Sequence, residues 1–541
     1  MSRGARTFFL GVLTCSTLSG AARAGSWPAY RGDGARTGYS PEQPPAKLSL
    51  RWTYKPARPP EPAWPDEPRM TFDRAYHVVA DGERVYFGSS ADCKIHALDA
   101  ATGRERWSFF TGGPVRFAPA LWKDRVLAVS DDGYAYCLSA SDGKLVWKKR
   151  PGPSGRMVLG NGRMISKWPA RGGPAVLDDV VYFAAGIWPT DGVYVCALKA
   201  EDGARVWVND SSGATVQVQP HGGAAARSGI SPHGYLAVAG DRVFVPNGRG
   251  VAAGLDRKDG KLAYFHLGGN RGGTPLAAVD STFFSSGSAF AASDGKKLTG
   301  WLNPLLLAAS PQLIFHHHRG KLTAIDRAKP LVTKEVKSGK RTRKVSSWNA
   351  AWSAEWKRKG TVMILAGTTL FLAGEGTVAA FDTGARKETW SAELPGSAAG
   401  LAFAAGRLYV STPEGPVHCF AAGGGGPATI EPPKAVNPYG SGGGFAAAAA
   451  EIVKVAGVEE GYCLDLGCGE GQLAYELAKR TELHIYGVEK DPARVAAARR
   501  KLDTAGLYGA RVTVFQGDPA KTDLPNYFAD LVVSGNSTSG A

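Results

Sequence analysis

The residues best suited to chemistry lie late in the chain. Asp465 sits in the apolar run Gly461-Tyr-Cys-Leu-Asp-Leu466, and Gly467, Cys468, Gly469, Glu470 and Gly471 follow at once. Alternate glycines let the backbone turn tightly after a strand and approach a ligand closely, at a point where a following helix presents unpaired N–H groups. Glu489 ends the next apolar run, eighteen residues beyond Gly471. A carboxylate there can accept hydrogen bonds from both hydroxyls of a ribose. Gly517 and Asp518 close a third run. An acid, a glycine loop, a second acid and Gly-Asp in that order predict a pocket for a nucleoside-bearing cofactor.

Other groups invite weaker readings. His316, His317 and His318 are consecutive, and neighbours on a strand point to opposite faces, so all three cannot meet one ion and no metal site is expected. Seven cysteines are thinly spread, none adjacent to another. Cys137, Cys196 and Cys419 read as small buried hydrophobes on inner strands. Two long insertions, Lys148 to Gly173 and Asn209 to Tyr235, carry Arg156, Arg163, Trp168, Arg171, His221, Arg227 and His233 as candidates to line a polar funnel. Lys334 to Lys344 is the densest basic cluster and reads as a solvated loop. No nucleic-acid motif accompanies it.

The late acids and glycines need strands and helices to hold them, and the sequence alternates accordingly. An Ala-rich helix at 445–455 precedes the first strand; a helix from Gln472, a strand His484 to Glu489, a helix from Pro492, and strands at 512–515 and 529–533 follow. This alternation predicts a parallel, Rossmann-like sheet. The combination of Asp465, the glycine loop, Glu489 and Asp518 resembles class I S-adenosylmethionine-dependent methyltransferases over residues 446–541. The resemblance implies S-adenosylmethionine as cofactor. Asp465 would then lie at the methionine end, Gly467, Cys468, Gly469 and Gly471 in the loop, Glu489 at the ribose and Asp518 at the adenine. An NAD-binding reading of the same loop is the rival. Ser534-Gly535-Asn536 stands where such enzymes carry an Asn-Pro-Pro-Tyr type of motif, so neither the catalytic residue nor the methyl acceptor is indicated. Four strands in 81 residues, against seven in the family, predict a partial domain that binds cofactor weakly and does not turn over.

The earlier part obeys a different rule. The segment from Ala97 to Trp107 recurs at Leu138 to Trp147 and Leu198 to Trp207, with weaker copies ending at Tyr264 and Trp390. Turn glycines at 103, 143, 203, 260, 295 and 384 give a unit of about 40 residues with insertions and one degenerate copy near Asp326. Each unit is a small sheet with an apolar face that only a neighbouring sheet can cover, which predicts a closed β-propeller. The last unit, Leu401 to Phe420, lacks a Trp strand; Ser49 to Tyr54 has the right pattern to complete it. Eight blades are expected, with seven the alternative. Ala-x-Asp-x-x-Thr-Gly-x-x-x-Trp at 97–107 resembles the repeat of PQQ-type quinoprotein-like and BamB-like propellers, over residues 27–420. The first resemblance implies a quinone cofactor, PQQ. The chain lacks the adjacent Cys-Cys pair of quinoprotein alcohol dehydrogenases, so PQQ is not expected. The second implies a protein or polymer partner on a propeller face.

Composition bounds these readings. With 541 residues, 44% hydrophobic, 14 Trp and no apolar run near 18 residues, the chain is neither disordered nor a multi-pass membrane protein. Ten Lys/Arg and thirteen Asp/Glu give residues 446–541 a charge of −3, against +16 for the whole. Scattered surface Lys and Arg account for the basic front part. Arg3, Arg6, the apolar stretch to Leu18 and Ala22-Arg23-Ala24 resemble an export signal cleaved before Gly25. The expected plan is a leader at 1–24, a propeller at 25–420, a Gly/Pro-rich linker at 421–444 and the partial methyltransferase fold at 445–541. Export to the periplasm or cell envelope would separate the protein from a cytoplasmic cofactor.

Overall fold

A computed structural model describes residues 25–537, except positions 69, 220–221, 249, 268–272, 286, 301, 339–340, 425 and 442. The expected leader therefore lies outside the described residues. Eight antiparallel sheets succeed one another at 79–110, 120–149, 172–209, 237–264, 276–300, 307–355, 362–397 and 400–421, each a meander of four strands or completed to four. The eighth gains its fourth strand from Ser49–Tyr54, antiparallel to Val417–Ala421 with Trp52 opposite Cys419. Eight blades and closure by the early strand are as the sequence predicts.

The repeat's glycine and tryptophan are one device. Gly103, Gly143 and Gly203 turn with φ of +70°, +70° and +68°. A Cβ on them would stand 2.7 Å from Trp52, 2.6 Å from Trp107 and 2.9 Å from Trp147, each on the preceding blade. The same indoles donate Nε1–H to the carbonyls of Ala100 (3.1 Å), Ala140 (3.0 Å) and Ala200 (3.1 Å). Only glycine leaves room for the ring and accepts the left-handed turn. The aromatic strand thus docks its blade on the next one. Gly384 departs from the prediction: Arg386, at φ +53°, takes the left-handed position in its turn. The degenerate copy near Asp326 is the sixth blade, whose third and fourth strands are separated by an inserted ribbon, Leu331–Ser338 and Arg341–Trp348. The basic cluster thus belongs to a paired ribbon rather than a loop, because the two segments hydrogen-bond in register through eight pairs. Cys137, Cys196 and Cys419 are fully buried on the third strands of their blades.

The Gly/Pro-rich stretch is not wholly irregular. Ala428–Ile430 adds in parallel to Ser49–Tyr54, and helix Gly443–Ala456 begins before the stretch ends. Beyond it four parallel strands, Tyr462–Leu466, His484–Glu489, Val512–Gln516 and Leu531–Val533, form a sheet in the order 3-2-1-4. Helices Gln472–Ala478 and Pro492–Thr504 supply the crossovers. Leu473, Leu477, Val495, Ala498 and Leu502 cover one sheet face, packing on Cys463, Ile485, Val512 and Val514.

A parallel sheet must be covered on both faces, and here the propeller supplies the second cover. The ribbon Met157–Gly160 and Arg163–Ser166, from the first long insertion, lays Met157 and Met164 on Tyr486, with Tyr462 and Phe515 beside them. Met164 N–H donates to Tyr486 Oη (2.9 Å), and Met157 N–H to Asp523 O (2.8 Å). At the sheet's rim Lys94, largely buried, pairs with Asp503 at 2.9 Å, and Tyr508 Oη donates to Thr111 O (3.2 Å). The fourth strand is an edge, with Val532 57% exposed. No described helix is long and apolar enough to cross a membrane.

Candidate functional site

The glycine loop lies at the C-terminal ends of the first two parallel strands, where alternating strand–helix topology opens a crevice. Gly467, Gly469 and Gly471 take φ of +72°, +57° and +84°. A Cβ at Gly469 would meet nothing within 4 Å, so that turn borders open space, whereas Gly467 lies against the Asn536 side chain and Gly471 against Leu502 and Tyr439. Cys468 is buried, and burial pushes its thiol pKa up.

Asp465 is fully buried beneath this loop. Its Oδ1 accepts the Gly535 N–H at 2.7 Å, and its Oδ2 has no hydrogen-bond partner among the described residues. Burial raises its pKa to about 7, with Glu489 adding to the rise and the Gly535 N–H opposing it. A buried carboxylate oxygen left without a donor is costly, and a cationic donor in the crevice would relieve it. Glu489 is 5% exposed; its Oε2 accepts Gly469 N–H (2.9 Å) and its Oε1 Asp491 N–H (3.0 Å). Each oxygen retains a lone pair for a ligand hydroxyl. Asp518 is exposed beyond the third strand, where its Oδ1 caps the turn at Ala520 N–H (3.0 Å). These residues fit a nucleoside with a cationic arm: an orphaned acid, an open glycine turn and an acid at the strand end.

The proposed funnel residues are only partly gathered. Arg171 and His233 are buried together, the guanidinium 4.8 Å over the Trp64 ring and the imidazole edge-on to it at 4.9 Å. Burial, with Arg171 nearby, lowers the His233 pKa to about 3. Trp168 is buried and donates Nε1–H to Asp191 O at 2.8 Å. Arg163 instead reaches Glu61 at 2.6 Å and Ser90 O at 2.7 Å. Arg156 and Arg227 are exposed, Arg227 on the outlying ribbon strand Ala225–Arg227, and His221 lies outside the described residues. Sequence reasoning missed the partners: Arg116 and Arg171 both grip Asp131 (2.6 and 2.9 Å), and Arg116 also holds Asp73 (2.9 Å). Burial opposes the Asp131 charge, but the two guanidiniums keep its pKa low. Trp64, Phe72 and Asp73 belong to the segment that leads into the first blade, and Phe72 stacks on Phe117 at 4.9 Å. That segment packs on Arg116, Phe117 and Arg171. Its only sequence signal was a Trp and an Asp amid prolines.

The His triplet divides as its alternation requires. His316 and His318 share a side, with ring centroids 6.0 Å apart, while His317 turns away to the Trp356 carbonyl at 3.0 Å. No group of three metal-ligating side chains is found among the described residues.

An eight-bladed propeller carrying a small Rossmann-like sheet defines the class. The family model described as outer membrane protein assembly factor BamB, a PQQ-repeat model, matches at residues 50–167, 91–330 and 162–426, and the chain belongs to that family. A methyltransferase-domain model matches residues 463–539. A search of curated protein sequences gave no match. Among solved structures, the chain is similar to quinohemoprotein alcohol dehydrogenase from Comamonas testosteroni, at 16% identity and TM-score 0.51, covering 80% of this chain and 86% of that one. Quinohemoprotein alcohol dehydrogenase ADHIIG from Pseudomonas putida HK5 aligns at 12% identity and TM-score 0.50, covering 90% and 95%. BamB from Moraxella catarrhalis aligns at 17% identity and TM-score 0.33, covering 63% and 83%. At such identities the likeness to the two dehydrogenases speaks to fold alone.

Proposed function

We propose that the protein is an exported propeller whose C-terminal unit binds S-adenosylmethionine, the cofactor half of a methyl-transfer site. The observation that carries this reading is Asp465 Oδ2, buried and without a donor among the described residues, beneath three left-handed glycines. The methyltransferase-domain match over 463–539 supports it. In this reading Asp465 receives the cofactor's ammonium group, Glu489 receives the ribose hydroxyls, the turn at Gly469 admits the chain between them and Asp518 receives the adenine edge. The bound cofactor would supply an electrophilic methyl group. The chain's own part is to seat the cofactor and orient that group, since positioning supplies much of the rate gain in such transfers. Domain limits of 25–420 for the propeller and 445–541 for the cofactor unit belong to the same proposal, as does residence in the periplasm or envelope.

A second reading, a non-enzymatic envelope scaffold with a vestigial cofactor unit, is favoured by the family match to an assembly factor. In this reading a propeller face receives a protein partner. Calorimetric titration with S-adenosylmethionine, NAD, and PQQ plus calcium separates the readings. Heat with S-adenosylmethionine, lost in both Asp465→Ala and Glu489→Ala, is the expected result. Heat with NAD alone moves the loop to the rival cofactor, heat with PQQ alone moves function to the propeller, and no heat at all leaves the scaffold.

A further inference from the structure

A cleft of about 250 Å³ lies between the first two blades and the ends of the second and third parallel strands, and none of Asp465, Gly467, Gly469, Gly471, Glu489 and Asp518 lines it. Its walls come from both parts of the chain. Phe109, Tyr134 and Tyr136 face it from the propeller and Phe515 from the sheet. The rings are braced: Phe109 meets Tyr136 edge-on at 5.7 Å, and Tyr134 lies 6.1 Å from Tyr136. Asp132 fixes them, accepting Tyr134 N–H (3.0 Å), Gly112 N–H (2.8 Å) and the Tyr136 hydroxyl.

The cations around it are more numerous than the acids. Lys148, Arg150, Arg499 and Lys521 line the cleft, against Asp132 and Asp523. Lys148 Nζ sits 4.9 Å and the Arg150 guanidinium 5.2 Å from the Tyr134 ring centroid, so two positive charges lie over this ring. Arg499 directs Nε and Nη2 to Val514 O (3.1 and 2.8 Å), which pins its guanidinium at the sheet edge beside the cleft. Aromatic walls favour a flat molecule, and excess cations at the rim favour a negative group on it. A void of about 150 Å³ suits benzene, so this one has room for one or two fused rings with a carboxylate.

We propose that this cleft is a binding site for a small planar aromatic carboxylate, its ring against Phe109 and Phe515 and its charge at Lys148 and Arg150. The cleft abuts the cofactor residues through Val488 and Gly517, next to Glu489 and Asp518, but uses different side chains to hold its ligand. Its test uses the full chain and the fluorescent probe 1-naphthoate, without S-adenosylmethionine, alongside the uncharged analogue 1-naphthylmethanol. The expected result is saturable naphthoate binding, about tenfold tighter than the alcohol, weakened about tenfold or more in the double variant Lys148→Ala/Arg150→Ala, as loss of charged hydrogen bonds predicts. Lys258→Ala, on an exposed turn of the fourth blade, should bind as the parent does. Lys148 is exposed and Arg150 half-buried, so the double variant keeps the fold, which an unchanged melting temperature verifies. No binding, equal affinity for acid and alcohol, or parental affinity in the double variant would overturn the proposal.

Discussion

Protonation of Asp465 should govern cofactor binding. Burial lifts its pKa to about 7, so near pH 5.5 the folded protein holds it mostly as the neutral acid. A ligand ammonium group needs the carboxylate. The association constant for S-adenosylmethionine should therefore rise about tenfold per pH unit below 7 and level off near pH 8, a gain of roughly thirtyfold between pH 5.5 and 8. Binding on the acid side should release one proton, measurable by titration calorimetry in buffers of different ionisation heat. In Asp465→Asn the profile should be flat and no tighter than the parent at pH 5.5. The ligand-free protein provides an independent reading. An acid whose pKa is raised on folding contributes stability below its unfolded pKa near 4, and that contribution is lost as pH rises through 7. At pH 8 the loss amounts to as much as about 4 kcal/mol, so Asp465→Asn should be more stable than the parent there and not at pH 4. A pH-independent affinity in the parent, or an Asn variant that binds as tightly as the parent at pH 8, would refute the reasoning.

Other outcomes follow from the packing. Trp52→Ala should cost about 3–5 kcal/mol in denaturant unfolding, because a fully buried indole and its bond to Ala100 O are lost at the ring's closure. Gly143→Ala forces a Cβ to 2.6 Å from Trp107 at φ +70° and should cost about 2–4 kcal/mol by the same measurement. Tyr486→Phe leaves the buried Met164 N–H without its acceptor, and should lower stability by about 1–3 kcal/mol and increase hydrogen exchange at the seam. Burial opposes the charge of His96, but Asp92 (3.0 Å) and Glu105 (2.7 Å) outweigh it and raise its pKa to about 9. Its contribution, of order 3 kcal/mol, is complete below about pH 6.5 and lost as pH rises through 9; His96→Gln should flatten the melting temperature across that window.

Elements whose information is local were legible in the sequence. The repeat's Gly and Trp name a turn and its blade-to-blade contact, so the blade count and the closing strand could be read together. The acids and glycines at 465–489 fall where strand ends place them, for the same reason. What stayed hidden depends on distant partners. Nothing near Tyr462, Tyr486 or Phe515 says that a propeller ribbon 300 residues earlier will cover them. Nothing near Arg116 or Arg171 says that Asp131 lies between them. The basic cluster at 334–344 misled because charge favours a loop, whereas the backbone pairing of Leu331–Ser338 with Arg341–Trp348 carries no charge signature. Gly384 misled because its turn places the left-handed residue two positions on, at Arg386.

Ser49 pairs with Ala421, 372 residues further along. At synthesis rates of about 5–20 residues per second, the Trp52 strand waits roughly 20 to 75 seconds for its mate. Throughout that delay a nascent molecule displays a sticky, half-made blade. A second molecule at the same stage offers the same vacancy, so crowded production should yield exchanged dimers, and a holdase that masks this one hexapeptide should suppress them.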